Sequence, residues 1–356
     1  MNTCSDGVVE SWSVGANRFR ASLQYSNIPI PRLTLCLTLC AVLLALCESA
    51  AAQQPTKVPR IGYLAASSLS VIASRIDAFK QGLSDLGYVE EKTIVIEWRS
   101  AEGKLDRLPA LATELVRLNV DVIVTSASTQ TPVAKAATST IPIVMAQDGD
   151  PVAAGFVASL ARPGGNITGL STLSPEVSGK RLELLKEIIP KLSRVAVFGS
   201  SNNPGNTQSL KEIEVAAGAF KLQLQFLNVL GPENIETVFQ AASQGRADAV
   251  LVLAGPVVFS QRRQVADLAV KSRLPATYPR QEFVEAGGLV TYGVNITDLH
   301  RRAATYVDKI LKGAKPADLP IEQPSKFELI INLRAAKQIG LTIPQRVLAR
   351  ADKVIK

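Results

Sequence analysis

The chain states one pattern twice. The first copy runs RIGYLAASS from Arg60, then TIVIEWRSAEGKLDRLPALATELV, DVIVTSAST and IPIVMAQDGDP. The second runs RVAVFGSSNNP from Arg194, then LQLQFLNVLGPENIETVFQAAS, DAVLVLAGP and LPATYPRQEF. Each copy holds four short apolar runs, each followed by a polar loop and mostly by a helix-like stretch. Strands alternating with helical stretches argue for parallel sheets built from βαβ units. Runs such as IGYLA, DVIVTS, IPIVMA, RVAVFG and DAVLVLA, apolar nearly throughout, suit parallel strands covered on both faces. The pattern predicts an α/β chain of two similar, doubly wound parallel-sheet lobes. Two such lobes leave a cleft between them, and its strand-end loops are where a small molecule would sit.

Between the runs, RIDAFKQGLSDLGY after Ser74 places Ile76, Phe79, Leu83 and Leu86 at helical spacing. Residues 108–118 and RLELLKEII after Gly179 do the same. GNITGLST at 165–172 and the proline-rich GAKPADLPIEQP at 313–324 read as hinge or crossover segments. Lobe one is expected to comprise 58–170 and a returning segment at 290–318. Lobe two is expected to comprise 171–289 and the tail 319–356. Three crossings between lobes make a three-segment hinge, which permits closure with little change inside either lobe.

Residues 33–47, LTLCLTLCAVLLALC, are apolar and short for a membrane span. Arg18, Arg20 and Arg32 precede this run and Ala50, Ala51 and Ala52 follow it, so 1–52 reads as a secretory signal peptide cut after Ala52. A short membrane anchor is the alternative. Lipid attachment at Cys47 would want a small residue where Leu46 stands. All four cysteines (Cys4, Cys36, Cys40, Cys47) lie in this leader, so the mature chain has no disulfide and no thiolate. An exported, cysteine-free chain suits a bacterial periplasm.

The mature part, about 300 residues, is long enough for two domains. Lys and Arg number 39 against 31 Asp and Glu, a net charge of +8. The leader holds three Arg and three acids, so this excess belongs to the mature chain. The basic residues are scattered, with only short pairs such as Arg262-Arg263 and Arg301-Arg302, and read as solvated helix faces. No nucleic-acid partner is expected.

His300 is the only histidine, and TDLHRRAATYVDKIL places it on an amphipathic helix, where a helix-face role is the simpler reading. A Ser-His-Asp triad would rest on it alone. A histidine-rich or cysteine metal site is excluded. No GxGxxG follows a strand and no GxxxxGK[ST] occurs, so dinucleotide and P-loop chemistry lack their signatures. No metal, cofactor or catalytic residue is expected.

The short polar loops after the strands remain. Ser67 and Ser68 follow the first strand. Ser126, Ser128 and Thr129 follow the third and precede a helix-like TPVAKAAT, where hydroxyls and free amides suit a carboxylate. Asp148 follows the fourth and could hold an ammonium group. In the second copy, Asn202 and Asn203, Gly255, and Tyr278 with Arg280 occupy the equivalent places. Tyr278 could supply an apolar wall, and Arg280 could pair with an acid. The same residue types also serve as caps and turn formers, and Asp150 reads equally well as a cap.

The chain resembles the substrate-binding proteins of ABC transporters, in the group with tryptophan- and tyrosine-binding members. The likeness is carried by FKQGLSDLGYVEEKTIVIEWRSAEGKLDRLPALATELV, GFVASLARPGGNITGLS, SGKRLELLKEIIP, RLPATYPRQEFVEAGGLVTYG and RRAATYVDKILKGAKPADLPIEQPSKFELIINLRAAKQIGLTIP, and spans nearly all of 58–356. The resemblance implies a type 1 periplasmic-binding fold, no catalysis, a small-molecule ligand, an ABC permease of the inner membrane as partner, and a monomer. A sensor docked on a membrane receptor and an enzyme on the same two-lobed frame are the rival readings. The loops SLSVIAS, SASTQT and SSNNPGN, which would select the ligand, lie outside the shared segments.

Overall fold

A computed structural model describes residues 58–356, which form one compact unit; the leader and its expected cleavage site lie outside the described residues. The first sheet takes β1 (Arg60–Ala65), β2 (Val95–Ser100), β3 (Val122–Thr125), β4 (Ile143–Asp148) and β5 (Ile167–Ser171) in the order β2-β1-β3-β4-β5. Every pairing in it is parallel. Helices α1 (Ala73–Asp85), α2 (Leu108–Arg117) and α3 (Thr131–Ala137) connect its strands.

The second lobe runs α4 (Ser174–Ile188), β6 (Arg194–Gly199), α5 (Pro204–Phe220), β7 (Gln223–Asn228), α6 (Ile235–Gln244), β8 (Ala249–Val252), α7 (Pro256–Ser260), α8 (Arg262–Lys271), β9 (Ala276–Tyr278), α9 (Gln281–Glu285) and β10 (Val290–Gly293). The chain then leaves as α10 (Ile296–Leu311). It comes back as β11 (Glu328–Asn332), α11 (Leu333–Gln338), α12 (Gln345–Leu348) and β12 (Lys353–Ile355). The second sheet is ordered β12-β11-β10-β9-β8-β6-β7, and only the β10–β11 pairing is antiparallel. The order β2-β1-β3-β4 is repeated as β7-β6-β8-β9, so the sequence repeat is also a repeat of topology. β3 and β4 of the first sheet, and β8 and β9 of the second, are buried along their length, as strands covered on two faces must be.

Two boundaries differ from the sequence expectation. Val290–Gly293 is a strand of the second sheet, not the start of the segment returning to the first. Its side chains alternate over a pleat filled from both sides, and Val290 packs with Leu184 and Ile331. The return begins at Asn295, whose side chain caps α10 through the Asp298 amide. GNITGLST, read as a hinge, contains the fully buried β5. Its glycine is what hid it: Gly169 holds φ +134°, and a Cβ there would stand 2.2 Å from the Met145 carbonyl oxygen. The crossing itself follows at Leu173, which takes a left-handed φ of 51°. The last crossing also adds to the first sheet, since Glu322 exchanges backbone hydrogen bonds with Gly169 and Ser171.

Helix α10 belongs with the first lobe because it packs on α1. Gly82 of α1 is the point of closest approach: a Cβ there would lie 2.2 Å from the Arg301 carbonyl oxygen and 2.9 Å from the Ala304 Cβ. Replacing glycine by alanine inside a helix ordinarily gains about 1 kcal/mol. Forcing two packed backbones apart costs about 1–3 kcal/mol or more, so the clash wins. G82A is therefore expected to lower the unfolding free energy by about 1–2 kcal/mol in a denaturant titration, whereas an exposed helix glycine with open space around it, Gly218, should gain stability from the same change.

Candidate functional site

Parallel strands place all their carboxyl ends on one edge, and these edges of the two sheets line a shared cleft. Its volume is about 710 Å³ counting the space open to solvent. From the first lobe come Ala66 and Ser67 after β1, Ser126 to Gln130 after β3, and Gln147 to Gly149 at the end of β4. From the second come Asn203 and Asn206 after β6, Ala254 to Pro256 and Phe259 after β8, and Arg280 after β9. Ile72 and Arg75 of α1 and Thr172 and Ser174 at the first crossing complete the wall.

Of the residues expected from sequence, Ser67, Ser126, Ser128, Thr129, Asp148, Asn203, Gly255 and Arg280 line this cleft. Three do not. Ser68 turns its backbone carbonyl to the amides of Val71 and Ile72 and its hydroxyl to Ser70, at 3.3 Å. Asn202 is exposed and borders a side pocket that shares Thr129, Asn203 and Gly255 with the cleft. Tyr278 is a core residue, with no exposed surface. Its ring stacks on Phe283, centroids 5.1 Å apart, and fills the space left by Gly288, where a Cβ would come within 2.5 Å of the ring. Tyr278 ends β9 inside the core, and Arg280, beyond the strand at the N-terminus of α9, reaches the cleft instead.

Asp148 is buried and fully engaged. Its Oδ1 accepts from the Ser128 hydroxyl and the Gly149 amide, both at 2.8 Å, and its Oδ2 accepts from the Thr131 hydroxyl at 2.9 Å. The β4–β5 register slips between Met145 and Asp148, the kind of irregularity that re-aims a strand-end side chain. The Asp148 backbone carbonyl also takes the amide and hydroxyl of Thr172, tying the loop to the first crossing. Burial pushes the carboxyl pKa up to about 6, against the three hydrogen bonds that lower it.

The opposite wall is basic. Arg75 of α1, buried to 4 % exposure, reaches across to the second lobe. Its Nη2 meets Glu282 Oε1 at 3.0 Å, and its guanidinium lies 4.0 Å over the Phe259 ring. Arg280 stands 5.3 Å over the same ring. Arg181 of α4 is buried too, donating to the carbonyls of Tyr292 and Pro279 at 2.7 and 3.1 Å. Burial brings Arg280 and Arg181 down to about 9, which leaves both charged at neutral pH. Burial alone would raise Glu282, but the neighbouring Arg75 and Arg280 outweigh it and hold its carboxyl below the usual value. His300 is fully buried on α10, not on an exposed face. Only its Nδ1 can donate to the Ile296 carbonyl, at 2.9 Å, so Nε2 is bare. Burial, together with Arg75 and Arg280, lowers His300 to about 3 and keeps it neutral.

Arg75, Gln130, Asn206, Phe259 and Glu282 were not among the expected residues. Arg75 had a readable signal. It lies four residues before Phe79 and eight before Leu83, on the apolar stripe of α1, where a charge needs a partner.

A family model described as ABC transporter substrate binding protein matches residues 67–355. The chain belongs to this family. A tyrosine-binding protein of Clostridioides difficile is 28 % identical over 281 residues, covering 78 % of this chain and 79 % of the relative. An ABC domain from Streptococcus pneumoniae solved in complex with L-Trp is 28 % identical with a TM-score of 0.76, covering 83 % of this chain and all of that one. A conserved domain protein from Vibrio cholerae superposes with a TM-score of 0.79 at 28 % identity, over 84 % of this chain and all of that one. The two-lobed architecture is the type 1 periplasmic-binding fold. Substrate-binding proteins of this family take small molecules, work with ABC permeases and are extracytoplasmic.

The raised Asp148 gives a pH prediction. A carboxyl whose folded pKa lies above its ordinary value of 3.8 binds more protons folded than unfolded, so its contribution to stability falls as pH rises from about 4 to above 6. In urea titrations of ligand-free protein, the stability of wild type relative to D148N should fall by about 2–3 kcal/mol between pH 4 and pH 7.5. A difference that does not change with pH would remove the shift.

Proposed function

We propose that the mature chain is the extracytoplasmic solute receptor of an ABC importer, working as a monomer, and that it holds an amino acid or related small acid in the cleft. The observation that carries this reading is the cleft itself: polar strand-end loops of both lobes converge there, with an acidic end at Asp148 and a basic end at Arg75 and Arg280. The relatives that bind tyrosine and L-Trp support an amino-acid ligand. The lobes close on the solute about the three crossing segments, and the closed form is what the permease receives. The solute leaves unaltered, and residues 1–52 serve as the signal peptide that exports the chain to the periplasm.

A ligand drives closure only through tighter binding to the closed form. Arg75 and Glu282 contribute directly, because their pair joins α1 of the first lobe to α9 of the second. Removing one partner of a buried pair costs about 3–5 kcal/mol, since it strands the other charge. That cost is avoided if the lobes swing apart and water reaches Arg75. E282Q should therefore enlarge the ligand-free radius of gyration in solution scattering, while the melting of each lobe's secondary structure persists.

A thermal-shift screen of residues 53–356 against the common L-amino acids and small carboxylates tests the ligand class. A ligand at one hundred times its dissociation constant should stabilise the protein by about 2.7 kcal/mol. Chemical conversion of a bound compound, followed by mass spectrometry, would turn the assignment from receptor to enzyme.

A further inference from the structure

Resting on the reading of the cleft as an amino-acid site, we propose that the anion subsite is Arg280 with Arg75 beside it, in the basic wall, and that the ligand enters with its carboxylate against them. The sequence had suggested the opposite polarity, with the carboxylate at Ser126 to Thr129. The side-chain geometry argues against that placement. The Ser128 hydroxyl donates to Asp148 at 2.8 Å and Thr131 donates to the other Asp148 oxygen. An anion at this hydroxyl would compete with a carboxylate for its donor and lie within a few ångströms of a like charge, in a buried site where screening is weak. That end of the cleft suits a cation or a neutral donor. Gln130, buried to 1 % exposure, adds an unpartnered Oε1 acceptor on the same side.

The basic wall has the converse deficit. Arg280 has no carboxylate within 4 Å among the described residues, and its buried Nη1 has no partner. The buried Nε of Arg75 is likewise unpartnered, although Nη2 of the same group meets Glu282 Oε1; the second oxygen of Glu282 is also without a partner, so the two guanidinium donors are not reached by the carboxylate already present. Both side chains line the cleft. Four guanidiniums gather around this wall (Arg75, Arg181, Arg262 and Arg280), and Glu282 is the one carboxylate that acts on Arg75 and Arg280. Arg181 is occupied by two carbonyls and Ser178, and Arg262 is turned to the Phe259 carbonyl, so neither is free for a ligand. Buried donors without acceptors are costly, and a ligand carboxylate would satisfy both Arg280 Nη1 and Arg75 Nε. Because Arg75 belongs to the first lobe and Arg280 to the second, one carboxylate between them would also join the lobes.

The test compares matched probes on purified mature protein by isothermal titration calorimetry. L-tyrosine and L-tryptophan, and any further L-amino acid that shifts the melting temperature, are each titrated beside the amine that lacks the carboxylate (tyramine, tryptamine and equivalents). Wild type should bind the amino acid at least about 100-fold more tightly than the amine, the scale of a truncated buried charge pair. In R280Q that ratio should fall towards one. In S128A the ratio should persist even if both affinities drop. R280K, which keeps the charge but loses the planar fork, should fall between, and it serves as the decisive variant if R280Q does not fold by circular dichroism. A ratio that survives R280Q, or that S128A abolishes, overturns the subsite while leaving the amino-acid reading intact. If no amino acid binds wild type, the reading of the cleft fails first, and the subsite falls with it.

Discussion

The site depends on a constraint of parallel sheets. Parallel pairing makes β1 to β5 of the first sheet, and β6 to β10 of the second, end on one edge of their sheet, so the polar loops needed for recognition gather without any long excursion. In this chain the constraint acts twice, because the strand order of the first lobe recurs in the second. Turning two such edges towards one another makes a cleft lined by strand-end loops, with residues of α1, α5, α7 and the first crossing completing the wall. The apolar strands behind them leave little freedom to change the frame, so selectivity has to reside in the loops.

Charge then gives the cleft a direction. On one side Asp148 is stabilised by three donors from its own lobe and has little left to ask of a ligand beyond a cation or a donor. On the other, guanidiniums outnumber carboxylates and two donors are left without acceptors. Phe259 lies between Arg75, Arg262 and Arg280 and presents a ring face to each, which keeps the cations ordered without neutralising them. A wall of this kind, bridged between the lobes by the Arg75–Glu282 pair, still keeps unpaired donors suited to an anion that arrives from solution.

Periodicity revealed the frame well and side-chain direction poorly. Phe79 and Leu83 were legible as the buried stripe of α1, with Ile76 half-buried against the same core, but the stripe also takes in Arg75 and Gly82, and Leu86 lies beyond the last turn and is exposed. One residue of rotation on a helix is enough to hide a functional arginine. Tyr278 looked like a wall of the site because aromatic rings often are, yet it ends β9 inside the core, stacked on Phe283, and Arg280 beyond the strand end lines the cleft. β5 was concealed by a glycine that reads as a breaker, although the glycine is there because the neighbouring backbone leaves no room for a Cβ. β10 was assigned to the wrong lobe because nothing in VTYG says which sheet will pair with it.

The sequence by itself determined the repeated α/β pattern, the family, and eight loop positions that line the cleft, since burial on two faces and the ends of strands leave local, periodic traces. Only the tertiary structure decided which charges meet. Arg75 and Glu282 are 207 residues apart, and Ser128 lies in the loop after β3 while Asp148 ends β4. Pairings of that kind depend on how two lobes and several strand ends are brought together in space, and no window of the chain contains both partners.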